Sequence, residues 1–294
     1  MLVERRIRSY QAPLHQYMCG GGKRAIEIAH RRWGKDEIAL AWTFQAITDR
    51  PATYWHCLPQ LNQARKAIWT AVNPHTGKRR IDEAFPVELR EVTNEQEMFI
   101  RFLNGSTWQV IGSDTYDSLV GAGVAGIVFS EWALANPSAW GYLSPMMREN
   151  NGWALFITTP RGKNHAYDMF NHAVKSDDWY AEISNAQATG AFSDEQLDGI
   201  RDEYVALYGK DFGSSQFEQE YLCSFEAAIL GSYYGGELAS ARSDGRICAV
   251  KHDPDLPVQT VWDIGYSDDT VILFVQVVAN EVRIIDTYSA NGQP

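Results

Sequence analysis

The chain has 294 residues, 45% hydrophobic and 12% aromatic with ten tryptophans; it exceeds one ordinary domain and is apolar enough to bury substantial cores. A formal net charge of −11 repels a polyanion at long range, so any grip on nucleic acid must come from local basic clusters. No apolar run suits a bilayer span, the amino terminus Met-Leu-Val-Glu-Arg-Arg is no secretory signal, and Cys19, Cys57, Cys223 and Cys248 have neither zinc-site nor disulfide spacing; a soluble chain with free thiols is the expectation.

Arg5, Arg6 and Arg8 cluster at the start. Lys23 to His30 alternates as a strand does, and Asp36 to Ile47 carries apolar residues at helical spacing. Between them Ala29 to Asp36 reads Ala-His-Arg-Arg-Trp-Gly-Lys-Asp. A phosphate-binding loop reads Gly, four free residues, Gly, Lys, then Ser or Thr. Here Ala29 stands at the first glycine and Asp36 at the hydroxyl position, while Gly34 and Lys35 are kept. In such a loop the backbone N–H groups, here spanning Ala29, His30, Arg31, Arg32, Trp33 and Gly34, point at phosphate oxygens and the lysine reaches the outer phosphates. A plain strand-to-helix turn with a surface Arg-Arg-Lys cluster has the same local signature. His30 is read as a packing residue.

A helix over Gln60 to Val72 leads to Lys78, Arg79 and Arg80 in a glycine-containing loop, either a solvated face or a tracker of phosphates. Ala125 to Glu131 is an apolar run ending in Ser130-Glu131. It resembles the second conserved strand of P-loop ATPases, where an acid holds magnesium and the next glutamate polarises the attacking water; Ser-Glu before Trp-Ala would also serve as a helix cap. The loop and strand depart from pattern in complementary ways. Asp36 brings a carboxylate where a hydroxyl is usual, and Ser130 a hydroxyl where a carboxylate is usual. An exchange of roles around Mg2+ is expected, with both groups facing one space beside Lys35.

Trp153 to Gly162 is a strand that stops at Thr158-Thr159-Pro160. A helix over Asn164 to Val174 and an extended run over Trp179 to Asn185 follow. Ser193 to Tyr208 opens with a capping box and closes at Gly209, and Gln216 to Phe225 forms a further helix. Thr260 to Phe274 reads as a hairpin opening, with Asp263 near the middle of its first strand and Asp268 and Asp269 in the turn; Glu281 to Tyr288 is another strand.

Taken in order, these motifs resemble the large terminase subunit of tailed double-stranded DNA bacteriophages, the ATPase that pumps viral DNA into a procapsid, over Gln11 to Asp286. Arg31, Arg32, Gly34 and Lys35 match the family's loop, Glu131 its water-activating glutamate, and Thr158, Thr159 and Pro160 its coupling motif. The resemblance implies an α/β, ASCE-type P-loop ATPase with a mostly parallel central sheet and a small helical lid, followed by the opening strands of an RNase H-like domain. The expected divisions are 1–190 for the core, 191–248 for lid and linker, and 249–294 for an incomplete nuclease part.

It further implies ATP and Mg2+ as ligands, Lys35 on the phosphates, and Arg31 answering charge on the transferred phosphoryl. Gln11 would read the adenine edge, since its amide both donates and accepts. Asp263 would hold a nuclease Mg2+ or Mn2+, with Asp268 in a weaker supporting role. Double-stranded DNA, a portal protein and a small terminase subunit are the implied partners. The chain would be monomeric alone and a homo-oligomeric ring on the portal, in the host cytoplasm and off the membrane, with Arg148 and Arg161 as possible arginine donors to a neighbouring subunit. The family's remaining nuclease acids lie beyond Pro294, so no metal-dependent DNA cleavage by this chain alone is expected. Two other readings share parts of the pattern: a DNA helicase or translocase, which needs further motifs and a second motor domain, and an inactive, shortened prophage remnant.

Overall fold

A computed structural model describes residues 7–114, 123–226, 235–265 and 269–290. They fall into two compact units, Met1–Ser232 and Tyr233–Pro294. The first is built on an eight-stranded sheet in the order β3-β4-β5-β2-β6-β7-β1-β8. Its strands are β1 (Arg24–Ala29), β2 (Thr53–Leu58), β3 (Arg90–Asn94), β4 (Phe99–Phe102), β5 (Thr107–Gly112), β6 (Val124–Ser130), β7 (Trp153–Thr158) and β8 (Trp179–Ser184). The run from β5 through β2, β6, β7 and β1 to β8 is parallel, and β3 and β4 extend it antiparallel.

Every residue of β6 and β7 is buried, as expected of central parallel strands covered on both faces, where alternation gives way to continuous apolar runs. In β1 the two faces still separate. Ala25 and Ala29 pack with α1 (Ala12–Cys19) and α2 (Lys35–Asp49), while Ile26 and Ile28 pack with α5 (Ser138–Glu149) and α6 (His165–Ala173). On one face lie Leu14, Met18, Ile38, Leu40 and Trp108; on the other, Phe129, Leu143, Met147 and Phe156. Because β7 stands between β6 and β1, the carboxyl ends of these three strands meet at one edge, where parallel sheets place their ligands.

The helix expected over Gln60 to Val72 is shorter. A turn of α3 (Leu61–Ala64) widens into a π-helical turn over Arg65–Trp69 that tucks Ile68 and Trp69 into the core. Arg80 opens α4 (Arg80–Ala84), and Arg79 pairs with Asp82 and Glu95 at 2.9 Å each. The basic loop is thus partly neutralised by its own acids.

After β8 come α7 (Ala186–Thr189), α8 (Asp194–Tyr208) and α9 (Lys210–Tyr221). Ser193 and Gln196 make the expected capping box. Gly209, at φ 82°, breaks the helix and lets α9 begin at once, well before the expected Gln216. These lid helices meet around Leu197 and Phe217 and lie within the first unit.

The second unit holds α10 (Gly235–Ser243) and an antiparallel sheet β11-β10-β9, with β9 Gln259–Asp263, β10 Thr270–Val278 and β11 Glu281–Ala290. Asp263 is the last residue of β9 rather than a mid-strand one, and it is exposed opposite Val271. Asp268, Arg5 and Arg6 lie outside the described residues. No described helix is long and apolar enough to cross a membrane.

Candidate active site at the carboxyl edge of the sheet

At the end of β1 the chain turns sharply. The His30 N–H donates to the Ser184 carbonyl at 3.1 Å and the Arg31 N–H to the Glu220 carbonyl at 2.9 Å. Arg32 and Gly34 both take left-handed φ values, 68° and 90°. At Gly34 a side chain is excluded twice, by that φ and because a Cβ would run into the Arg8 guanidinium and lie 2.8 Å from Gln11 Nε2. The glycine therefore admits a tether as well as a close approach. α2 then starts at Lys35 with no side chain capping it. Its first-turn N–H groups have no intrahelical acceptor and carry the positive end of the helix dipole, an arrangement suited to an anion.

Two loop residues are held by what surrounds them. Gln11 is buried, and its amide already has partners: Nε2 donates to the Trp33 carbonyl at 2.9 Å and to that of Gly34 at 3.3 Å, while Oε1 accepts from the Arg8 N–H at 3.1 Å. It braces the loop in this structure rather than presenting an adenine-reading edge. Trp33 does not line a cradle; its indole is fully buried beneath the loop, 5.6 Å from the Tyr10 ring. His30 packs as expected, between the Arg31 carbonyl at 2.6 Å and the Thr189 hydroxyl at 2.9 Å, and burial pushes its imidazole pKa down.

Lys35 reaches back across the strand ends. Its Nζ donates to the Ala29 carbonyl at 3.1 Å, the His30 carbonyl at 3.3 Å and the Thr159 hydroxyl at 2.9 Å. One residue on, Asp36 Oδ1 accepts from the Ser130 hydroxyl at 2.7 Å and from His56 Nε2 at 3.2 Å. The carboxylate on the loop side and the hydroxyl on the strand side are therefore in direct contact beside Lys35. Burial opposes ionisation of Asp36, but the hydrogen bond and charge of His56, the Ser130 hydroxyl and Lys35 outweigh it and hold the carboxyl below its ordinary value.

Glu131 follows Ser130 in a left-handed conformation, φ 52°, sparsely populated for a residue with a side chain. The turn over Trp132–Leu134 that follows is clamped. The Ala133 N–H donates to the Thr158 hydroxyl at 3.1 Å, Asn164 Nδ2 donates to the Ala133 carbonyl at 2.8 Å, and a His165 ring nitrogen meets the Trp132 carbonyl at 2.7 Å. Burial pushes the Glu131 carboxyl up, against the pull of Lys35, Arg161 and Arg31.

Thr158 and Thr159 touch both sides of this site. The Thr159 hydroxyl donates to the Ala29 carbonyl at 3.1 Å besides accepting from Lys35, and Thr158 grips the Glu131 turn. After Pro160, Arg161 pairs with Glu220 of α9. Arg31 also ends on that carboxylate, through Nε at 2.6 Å and Nη2 at 3.2 Å. Arg31 is thus held by the lid in this structure, and Arg161 is tied within its own subunit's site rather than free as a donor to a neighbour. Arg148 lies at the opposite edge of the sheet, in a cleft with Lys23 and Arg24.

His56 and Glu220 were missed from sequence. A histidine inside Thr-Tyr-Trp-His-Cys-Leu was a usable signal, since a polar residue in a buried parallel run needs a partner; Glu220 had none. Glu27, mid-strand in β1, is a further buried acid. Neither of its oxygens reaches a partner with full hydrogen-bond geometry among the described residues; burial, reinforced by Glu182, outweighs the pull of the nearby Ser184 hydroxyl and Lys35 and pushes its carboxyl well above its ordinary value. Among the described residues no three His, Cys, Asp or Glu side chains gather as a metal cluster, near Asp263 or elsewhere.

Residues 25–240 match the family model of the N-terminal part of the T4-like-virus type of terminase large subunit. The large terminase subunit of Thermus phage G20c is 26% identical over 163 residues, covering 50% of this chain and 33% of the relative. The chain thus spans about a third of that curated relative's length. The large terminase ATPase domain of Thermus phage P74-26 superposes with a TM-score of 0.58 at 20% identity, covering 75% of this chain and 94% of that one. The large terminase of another thermophilic bacteriophage, solved in complex with ADP, does so with a TM-score of 0.57 at 13% identity, covering 98% of this chain and 69% of that one. At these identities the two structures speak for a shared fold.

Proposed function

Because the chain belongs to the terminase large-subunit family, we propose that it is the ATP-hydrolysing part of a motor that moves viral double-stranded DNA into a procapsid. One observation carries the reading. Lys35, Asp36, Ser130, Glu131 and Thr159 come from three neighbouring parallel strands and one helix start, and they meet at one edge, with Lys35 Nζ 2.9 Å from Thr159 and Ser130 2.7 Å from Asp36. That a large terminase of this fold was solved in complex with ADP supports a nucleotide as the ligand.

Lys35 and the first-turn amides of α2 take the phosphates, the lysine exchanging backbone carbonyls for phosphoryl oxygens. The donor set fits Mg2+: a carboxylate and a hydroxyl in contact, hard oxygens beside the phosphate-binding lysine. Asp36 and Ser130 would hold the ion, which when bound supplies neutralisation of phosphate charge. Glu131, raised by burial and held by its clamped turn, orients the attacking water and accepts its proton. Arg31 must leave Glu220 to meet the transferred phosphoryl, and Gln11 must release the loop to read adenine. Thr159 contacts Lys35 and Thr158 the Glu131 turn, so a change of phosphate state is relayed along β7.

In the whole protein this unit would act as a ring on the portal, with a small subunit, in the host cytoplasm, and the Asp263 hairpin would belong to an RNase H-like nuclease using Mg2+ or Mn2+. The test is magnesium-dependent ATP hydrolysis by wild type, Lys35→Ala and Glu131→Gln. Glu131→Gln is expected to keep nucleotide affinity and lose turnover ~100-fold or more, and Lys35→Ala to bind weakly. Nucleotide binding without any turnover by wild type favours the inactive remnant; no nucleotide binding at all overturns the motor.

A further inference from the structure

We infer that His56, which belongs to no loop or strand motif, is a positioning residue that decides which oxygen of Asp36 is offered to the divalent cation. The inference rests on the reading of Asp36 as a cation ligand. A serine or threonine hydroxyl at this loop position has a single oxygen and needs no orienting. A carboxylate has two, on a terminal torsion that is broad and roughly two-fold. Left alone it could present either oxygen, or both.

Here both donors converge on one. His56 Nε2 lies 3.2 Å and Ser130 Oγ 2.7 Å from the same Oδ1. Oδ2 has no hydrogen-bond partner among the described residues. Ser130 cannot serve as the sole orienter, because on this reading its own oxygen also faces the cation. His56 stands behind the pair. It is fully buried on β2, locked between β5 and β6 in register with Val110 and Val128, and its ring meets Trp108 edge-on at 6.4 Å. Trp108 in turn stacks on Trp69 at 6.1 Å. A donor mounted on a central strand and flanked by one indole that a second indole backs has little freedom, so neither has the carboxyl it holds. Supports of this kind, one shell behind the ligand, set ligand orientation in metal sites generally.

A role in core packing alone explains the histidine poorly. Its Nδ1 is buried with no partner, a cost that an apolar side chain in the same place would avoid. The hydrogen bond to Asp36 is what the imidazole adds.

The experiment measures binding, on the whole chain. A fluorescent ADP analogue is titrated first without divalent cation and then with Mg2+, and Mn2+ binding is followed separately by electron paramagnetic resonance. For His56→Leu the metal half-saturation is expected to rise about 10-fold while metal-free affinity for the analogue stays at the wild-type level; His56→Gln, which keeps a donor, should fall between. His56→Met, of similar volume and without the donor, replaces His56→Leu if that variant does not fold. Wild-type metal half-saturation in His56→Leu overturns the inference, as does an equal loss of metal-free binding, which marks a merely structural residue. Asp36→Asn separates the two levels: if it loses metal dependence while His56→Leu does not, only the role of His56 falls. If Asp36→Asn leaves metal dependence intact, the ligand assignment falls and the inference with it.

Discussion

Exchanging Asp36 and Ser130 tests whether the two side chains work as one unit. The Ser130 hydroxyl donates to the Asp36 carboxylate at 2.7 Å, a hydrogen bond to a charged group worth ~1.5–3 kcal/mol. Ser130→Asp removes it and sets a second carboxylate against the first. At a separation of ~4 Å and an effective dielectric of about 20, two unit charges repel by ~4 kcal/mol, an upper bound because one acid can take up a proton. Asp36→Ser leaves the buried His56 donor short of its acceptor, at ~1–3 kcal/mol. The double variant restores one acid and one hydroxyl, so it should be more stable than the sum of the single changes by ~2–4 kcal/mol. Urea unfolding of the four proteins without nucleotide measures this coupling, and magnesium-dependent ATP hydrolysis reports whether the exchanged pair still works. Single effects that add to within ~0.5 kcal/mol would refute the idea that the loop and strand positions are matched.

Glu220→Gln should lower the urea midpoint by an amount equivalent to ~1–2 kcal/mol, because Arg31 and Arg161 lose the charge they share; the figure is kept small since Arg31 is about half exposed, at 52%. A midpoint equal to wild type means the lid does not hold the loop arginine. Glu27→Gln should stabilise the protein increasingly as pH rises. The folded pKa of Glu27 lies well above the ordinary 4.5, so its contribution is complete below that value and is lost as pH climbs toward the folded one, at up to ~1.4 kcal/mol per unit. Urea midpoints of both proteins at about pH 5 and about pH 8 check this. A difference that does not grow with pH contradicts the burial of an unpaired acid.

Much of the site was legible because its chemistry is local in sequence. Gly34 and Lys35 at a strand-to-helix junction, an apolar strand ending at Glu131 and another ending at Thr158-Thr159 each announce a strand end with a polar function, and parallel strands bring such ends to one edge. What was not legible is long-range. Nothing in the order of residues tells that Gln11 bends onto the Trp33 and Gly34 carbonyls, that the Trp33 indole turns into the core, or that Glu220 waits across the lid for Arg31. The start of α9 was missed because Gly209 serves both as the stop of one helix and the hinge into the next. β2 through β5 went unread because they carry no motif; only His56 within β2 offered a hint, and its meaning depends on Asp36 lying opposite.

The placement of β7 carries a mechanical consequence. It is the strand laddered to both β1 and β6, and its last residue, Thr158, and the Thr159 that follows diverge, Thr159 toward the ammonium and Thr158 toward the turn behind Glu131. On the proposed roles of Lys35 and Glu131, phosphate grip and water activation are thereby bolted to the same beam. Neither strand end can slide relative to the other without shearing two hydrogen-bond ladders at once, whereas the chain leaving β7 runs past Pro160 to Arg161 and its ion pair with the lid.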